Sequence, residues 1–372
     1  MNERLLLALH LLAAPACGPS GAASILRAAP RALDPRELDP SRPELRRWAA
    51  QVLSARELPW NPERISDDLE RWASRGIRVL LPEDAEFPEN LRLSPYCPAL
   101  VTVRGSLVRD DGRALTVVGT RRNTNYGEAA VRKIVAGIAP WAPTVVSGLA
   151  FGTDRFAHRQ ALKSGLRTVA VLGQGLAVPL DRAGRLLAEE IEERGAVLSP
   201  FLPDAEARSW TFPFRNRLLS GLSQGVVVVE SGVKGGSMIT AKLAAEEGRE
   251  VFAVPGSIFA PESEGCHQLI SDGAQPALSG ERIAEALRWN ASGAIPLPRR
   301  TLPDPAEPAL PLLNDEERAV LEACPRDPAG LDATLRALEM PPHQALAILA
   351  ILEMQGLVRQ LPGGRVVREI RL

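Results

Sequence analysis

Six short runs between residues 114 and 256 constrain this chain more than any other feature: ALTVVG, TVVSGL, TVAVLG, AVLSPF, GVVVVE and EVFAVPG. Each is apolar at nearly every position and rich in β-branched residues. A strand with that pattern has both faces covered, which is the situation inside a parallel sheet flanked by helices. Helical segments fill the gaps, among them YGEAAVRKIVAGIA, TDRFAHRQALKSG, AGRLLAEEIEERG and SMITAKLAAEEG. Strand, helix and strand repeated in this way predict an α/β fold with a doubly wound parallel sheet, whose right-handed crossovers place ligands at the carboxyl ends of the strands.

Four of those ends carry small or polar residues: GTRRNTNYG, SGLAFGTD, SGVKGGSMITA and PGSIFAPESEG. Glycine lets a ligand approach the backbone, and the N–H groups that open the next helix carry partial positive charge. Each turn is therefore a potential cradle for phosphate or carboxylate, and four on one side of a sheet point to an extended anionic ligand. No GxGxxG follows the first strand and no stretch fits GxxxxGK[ST], so dinucleotide binding and P-loop hydrolysis lose support. Asp154 and His158, four apart at a helix start, form either an acid/base or metal pair or a structural first-turn acid. The structural role is the expected one, because no nucleophile or third ligand is placed beside them.

The arginines sharpen the picture. Arg121 follows Gly119 in the first turn, and WTFPFRNRLLSGLSQ puts Pro213 in the first turn of a helix carrying Arg215, Asn216 and Arg217. On a helix Arg215 shares a face with Leu218, Leu219 and Leu222, whereas Arg217 lies about 200° further round. An arginine on the apolar side must meet a carboxylate, backbone carbonyls or a bound phosphate. An internal ion pair is the alternative to phosphate.

The flanks read differently. Residues 1–80 are helical in pattern and are expected to form a small SAM-like or helix-hairpin-helix-like domain, with a plain bundle as the simpler reading because the turn ACGPSG lacks the usual order of glycines. The apolar N-terminus MNERLLLALHLLAAPACG imitates a secretory signal, but Glu3 and His10 interrupt it and it is expected to be part of the fold. After the α/β region, 81–290, residues 291–312 hold six prolines and read as an extended linker. Residues 313–372 offer three helices and a hairpin turning at Gly363 and Gly364, the order of a winged helix, with seven Arg against nine Asp+Glu. That balance favours a protein contact or structural role over DNA binding there.

With 44 Lys+Arg against 45 Asp+Glu, a polyanion must be held by local rather than global charge. The four cysteines are scattered, as expected of idle thiols in a reducing cytoplasm, and no run reaches the ~20 apolar residues that cross a bilayer.

VGTRRNTNYG, SGLAFGTDRFAH, FPFRNRLLSGLS, VVVVESGVKGGSMITAKLAAEEGREVFAVPGS and SEGCHQLISDGA, in this order, closely resemble the bacterial DNA-processing protein A family over roughly residues 80 to 290. The resemblance implies a Rossmann-like, mostly parallel sheet that binds single-stranded DNA, forms a homodimer in the cytoplasm, needs no cofactor or metal, and loads the RecA recombinase during natural transformation. Carried over by position, the implied DNA-binding residues are Gly119, Arg121, Ser147, Gly148, Arg215, Asn216, Arg217, Gly235, Gly236 and Ser237. Phe151 departs from the family, where a basic or polar residue is usual, and either stacks on a base or packs against the domain. One alternative is an enzyme resembling the nucleotide phosphoribohydrolases, but their catalytic glutamate falls here on Thr240 or Lys242. Another is an assembly scaffold for which DNA is secondary.

Overall fold

In the computed structural model, which describes residues 3–14, 17–43, 45–289, 315–325, 329–336, 338, 340–354, 357–361 and 365–368, all six apolar runs are strands. The chain begins with helices α1 (Glu3–Ala13), α2 (Pro19–Ala28), α3 (Ala49–Glu57) and α4 (Pro62–Ala73). Pro62 starts α4 without wasting an N–H, and the Asn61 side chain caps it by accepting from the Arg64 amide at 2.9 Å. The helical pattern of ISDDLERWASRGIRVL does not run to Leu80 as its sequence suggests. Gly76, at a φ of 71°, turns the chain, and Arg78, Val79 and Leu80 then form β1 (Arg78–Leu80).

There follow α5 (Glu89–Leu93), β2 (Val101–Gly105), β3 (Ala114–Val118), α6 (Asn125–Ile138), β4 (Thr144–Ser147), α7 (Thr153–Lys163) and β5 (Thr168–Val171). Next come α8 (Arg182–Arg194), β6 (Ala196–Ser199), α9 (Thr211–Leu222), β7 (Gly225–Val228), α10 (Gly236–Glu246), β8 (Glu250–Ala253), α11 (Glu264–Ser271), β9 (Gln275–Pro276) and α12 (Gly280–Ala286). The nine strands make one sheet in the order β1-β2-β6-β5-β4-β3-β7-β8-β9. From β6 to β9 every pairing is parallel, and β1 and β2 extend that edge antiparallel. Every residue of β3 to β7 is buried, as the unbroken apolar runs require.

The winding reverses at β3. Its crossover through α6 leads to β4 on one side, while β7 joins it on the other. A crevice therefore opens beyond the carboxyl ends of β3 and β7, where neighbouring connections leave in opposite directions. Residues Met1–Ile295 are one compact unit. Within it Leu7, Leu11, Ile25 and Trp72 of the first helices share a hydrophobic cluster with Leu172, Leu187 and Ile191 of the α/β region.

Pro296–Leu372 form a second unit. Its described elements are α13 (Asp315–Ala323), β10 (Ala329–Gly330), α14 (Leu331–Arg336), α15 (Pro342–Met354), β11 (Val358–Leu361) and β12 (Arg365–Arg368). The strands pair antiparallel in the order β10-β12-β11 over Val320, Leu349, Leu352 and Val366, which is winged-helix architecture. With two residues, β10 is too short to carry a strand pattern in the sequence. The expected linker, 291–312, and the turn at Gly363 and Gly364 lie outside the described residues.

One contact between helices has no slack. The start of α12 lies on α6 where two glycines meet, and a Cβ at Gly280 would stand 2.5 Å from the Gly137 carbonyl carbon and from Ile134 O. Both obstacles are backbone, so only a shift of the whole helix would relieve them. Gly280→Ala should destabilise the protein by about 1–3 kcal/mol in urea titration. An unchanged midpoint would show that the helices separate freely.

Candidate functional site

The crevice is an open pocket of about 450 Å³. The turn after β3 supplies Gly119, Thr120, Arg121 and Arg122, and the turn after β7 supplies Ser231, Gly232, Gly235, Gly236 and Ser237. Ala150 and Asp154 from the β4–α7 connection and Phe212, Arg215 and Asn216 from α9 close it.

Arg215 is 5% exposed. Its Nη1 donates to Gly148 O at 2.6 Å and Val171 O at 2.5 Å, at the ends of β4 and β5, and its Nε donates to Asn216 Oδ1 at 3.2 Å. Burial depresses its pKa; the Asp154 carboxylate opposes that, and the Arg121 charge adds to it. The apolar face of α9 thus tolerates a guanidinium because backbone carbonyls receive it and the field of the Asp154 carboxylate opposes the cost of burying it. Asn216 passes the lock onward, donating through Nδ2 to Gly236 O at 3.3 Å and so fixing the first turn of α10.

The glycine-rich turns are not equivalent, contrary to their appearance in the sequence. At the start of α6 the cradle is already filled. Glu230, at the end of β7 and 2% exposed, accepts from the Thr124 amide at 2.9 Å and the Thr124 hydroxyl at 2.5 Å. Burial raises its pKa and these hydrogen bonds oppose the rise. In the β4–α7 turn Asp154 is also buried; burial raises its pKa, and the nearby Arg215 charge and the amides of the turn oppose the rise. These chain carboxylates stand at two of the four places where an external anion was expected.

The start of α10 differs. Among the described residues no group accepts from the amides of Gly236 and Ser237, and no side chain caps the helix. A Cβ at Gly232 or Gly236 would meet nothing within 4 Å. By contrast Gly119 is small to admit Thr153, Gly148 to admit Arg215, and Gly235 to admit Ser231, each approached within 2.5 Å. Unpaired amides at a helix N-terminus attract an anion. Arg121 and Arg122 stand across the pocket, exposed and without a carboxylate partner among the described residues. Arg121 lies 5.5 Å over the Phe212 ring.

Of the residues singled out from the sequence, Gly119, Arg121, Arg215, Asn216, Gly235, Gly236 and Ser237 line this pocket. Ser147 is fully buried behind it, its hydroxyl 2.7 Å from Val117 O. Gly148 lies under Arg215, and Phe151 stands exposed on the β4–α7 turn. Arg217 is not brought there: it donates to Ser20 of α2 at 3.0 Å and lies against the rings of Tyr96 and Phe214. Helix rotation sends it toward the N-terminal helices, as the divergence from Arg215 required. Ser237 spends its hydroxyl on Ser231 at 2.8 Å. Glu230, Arg122 and Gly232 escaped notice; a glutamate ending an otherwise apolar strand was the available signal for the first.

His158 donates or accepts at Nδ1 with the Thr168 hydroxyl at 2.7 Å and is fully buried away from the pocket lining. Among the described residues no cluster of three or more His, Cys, Asp or Glu suits a metal, and Cys17, Cys97, Cys266 and Cys324 are free. No described helix is long and apolar enough to cross a membrane.

Residues 78–288 match the family described as DNA recombination-mediator protein A, and residues 304–364 match the DprA winged helix domain. The chain is 37% identical over 300 residues to Protein Smf of Escherichia coli, covering 79% of each. It is similar in structure to DNA processing protein A from Streptococcus pneumoniae, with a TM-score of 0.64 at 28% identity over 77% of this chain and 98% of the other. A DNA processing protein A from Helicobacter pylori, described for its single-stranded DNA binding mode, superimposes with a TM-score of 0.50 at 25% identity, covering 57% of this chain and 95% of that one.

Burial pushes the His158 pKa down from 6.5 to about 3. Between those values the unfolded chain carries the extra proton, so the stability contributed by the neutral imidazole is lost as the pH falls. The deficit of His158→Asn against wild type, measured near pH 7.5, should shrink by about 2 kcal/mol near pH 5. A deficit independent of pH would contradict a neutral buried imidazole.

Proposed function

Because the chain belongs to the DNA recombination-mediator protein A family, we propose that it binds single-stranded DNA, without catalysing a reaction, and hands the strand to the RecA recombinase during natural transformation. The observation that carries this reading is the vacant amide pair of Gly236 and Ser237 facing Arg121 and Arg122 across one pocket. Amides and guanidiniums neutralise phosphates without reading bases, so the strand is held with little sequence preference and strong salt dependence. Arg215 contributes charge to the same field while its hydrogen bonds stay within the protein.

A non-catalytic role is supported by what stands where phosphoribohydrolases keep a glutamate. Thr240 is buried, and Lys242 is exposed, 4.0 Å from Glu246. Neither side chain supplies the carboxylate that serves the chemistry in those enzymes. In this reading the protein works as a homodimer in the cytoplasm, and faster RecA filament growth on oligo-dT in its presence is the expected readout of loading.

Arg121→Ala should weaken oligo-dT binding about tenfold, the scale of one charged hydrogen bond, and flatten the slope of log affinity against log salt by about one. Its folding stability should match wild type, since the side chain is exposed. Arg215→Met should instead lose about 1–3 kcal/mol of stability for each of the Gly148 and Val171 carbonyls that it leaves without a charged donor in the interior. Unchanged affinity and salt slope in folded Arg121→Ala would overturn the phosphate reading.

A further inference from the structure

Phe151 is 60% exposed, although the turn that carries it is held rigidly. Leu149 takes a φ of 56° and Gly152 a φ of 79°, a left-handed backbone that is costly for leucine and persists only where surrounding contacts enforce it. Arg155 supplies such contacts. Its Nε donates to Leu149 O at 3.1 Å and its Nη1 to Asp181 Oδ1 at 3.0 Å, while Asp181 also caps α8 by accepting from the Gly184 amide. The pinned Arg155 guanidinium lies 4.0 Å over one face of the Phe151 ring. With that face covered and most of the residue exposed, the other face is open to solvent.

The ring also sits beside the phosphate pocket. A Cβ on Gly152, the next residue, would stand 2.6 Å from Arg121 O, and the Arg121 guanidinium lies against Phe212 in the pocket wall. An open aromatic face, a guanidinium without a carboxylate partner and a second ring thus follow one another along the rim. A single strand presents the matching chemistry, since its base faces are uncovered beside its phosphates, whereas duplex bases are already stacked.

Resting on the single-strand reading above, we propose that Phe151 is a base-stacking shelf, on which the unpaired base adjoining an Arg121-bound phosphate lies against the open face. The guanidinium behind the ring draws π density away from that face and so strengthens stacking of an electron-rich base. Because Arg155 and the turn fix the ring in advance, little side-chain freedom is lost when the base arrives. The shelf makes the site selective for unpaired strands, which the phosphate contacts alone do not.

The test compares wild type, Phe151→Ala, Phe151→Trp and Arg121→Ala, each binding oligo-dT and an abasic strand of equal length. Phe151→Ala should weaken oligo-dT binding about 5- to 100-fold, leave the salt slope unchanged and leave the abasic strand unaffected, while Phe151→Trp binds at least as well as wild type. If Phe151→Ala binds oligo-dT like wild type while Arg121→Ala loses affinity, the shelf is refuted and the phosphate site stands. Equal losses of Phe151→Ala on oligo-dT and the abasic strand would also refute stacking. If wild type prefers duplex to oligo-dT, the single-strand reading fails and the shelf fails with it.

Discussion

The buried Arg215 guanidinium is the contact on which the crevice depends. One nitrogen bonds the carbonyls that end β4 and β5, another holds Asn216, and Asn216 holds the carbonyl of Gly236. The sheet, α9 and the first turn of α10 are thereby set relative to one another by two adjacent side chains. The cost of burying its charge is offset by carbonyl oxygens and the field of Asp154. Gly148 has no side chain because the guanidinium passes where one would be.

With that frame fixed, the distribution of internal carboxylates determines where an outside anion can go. Glu230 accepts from Thr124 at the entry to α6 and the buried Asp154 lies in the turn before α7, so both places already hold a carboxyl group of the chain. The α10 end keeps its partial positive charge unopposed, and Arg121 and Arg122 face it. A chain with a formal charge of -1 can thus hold a polyanion by focusing its cations at one mouth. The carboxylate in the first turn also accounts physically for the missing dinucleotide fingerprint: the place where a pyrophosphate would lie against the first helix is taken.

Much of this was legible from residues alone. Unbroken apolar runs marked the parallel strands, and the 100° step of a helix separated Arg215 from Arg217 before either partner was known. The antiparallel edge was hidden because β1 has three residues and follows a helical pattern that only Gly76 interrupts. The glycines were the least legible. Gly119, Gly148 and Gly235 read as room for a ligand, yet their space belongs to Thr153, Arg215 and Ser231, all distant in sequence or hidden by a turn. Glu230 was likewise invisible in its role, since the segment it caps begins 106 residues earlier. Tertiary partners, not local pattern, decide which cradle stays open.

The central claim is that the strand's phosphates meet the α10 amides and not those of α6. Amide chemical-shift mapping of the protein titrated with oligo-dT tests it directly. Large shifts confined to Gly235, Gly236, Ser237 and the neighbouring Arg121 turn are predicted, with the amides of Asn125 to Glu128 unmoved. Shifts centred on Asn125 to Glu128, with Gly236 and Ser237 silent, would contradict the account.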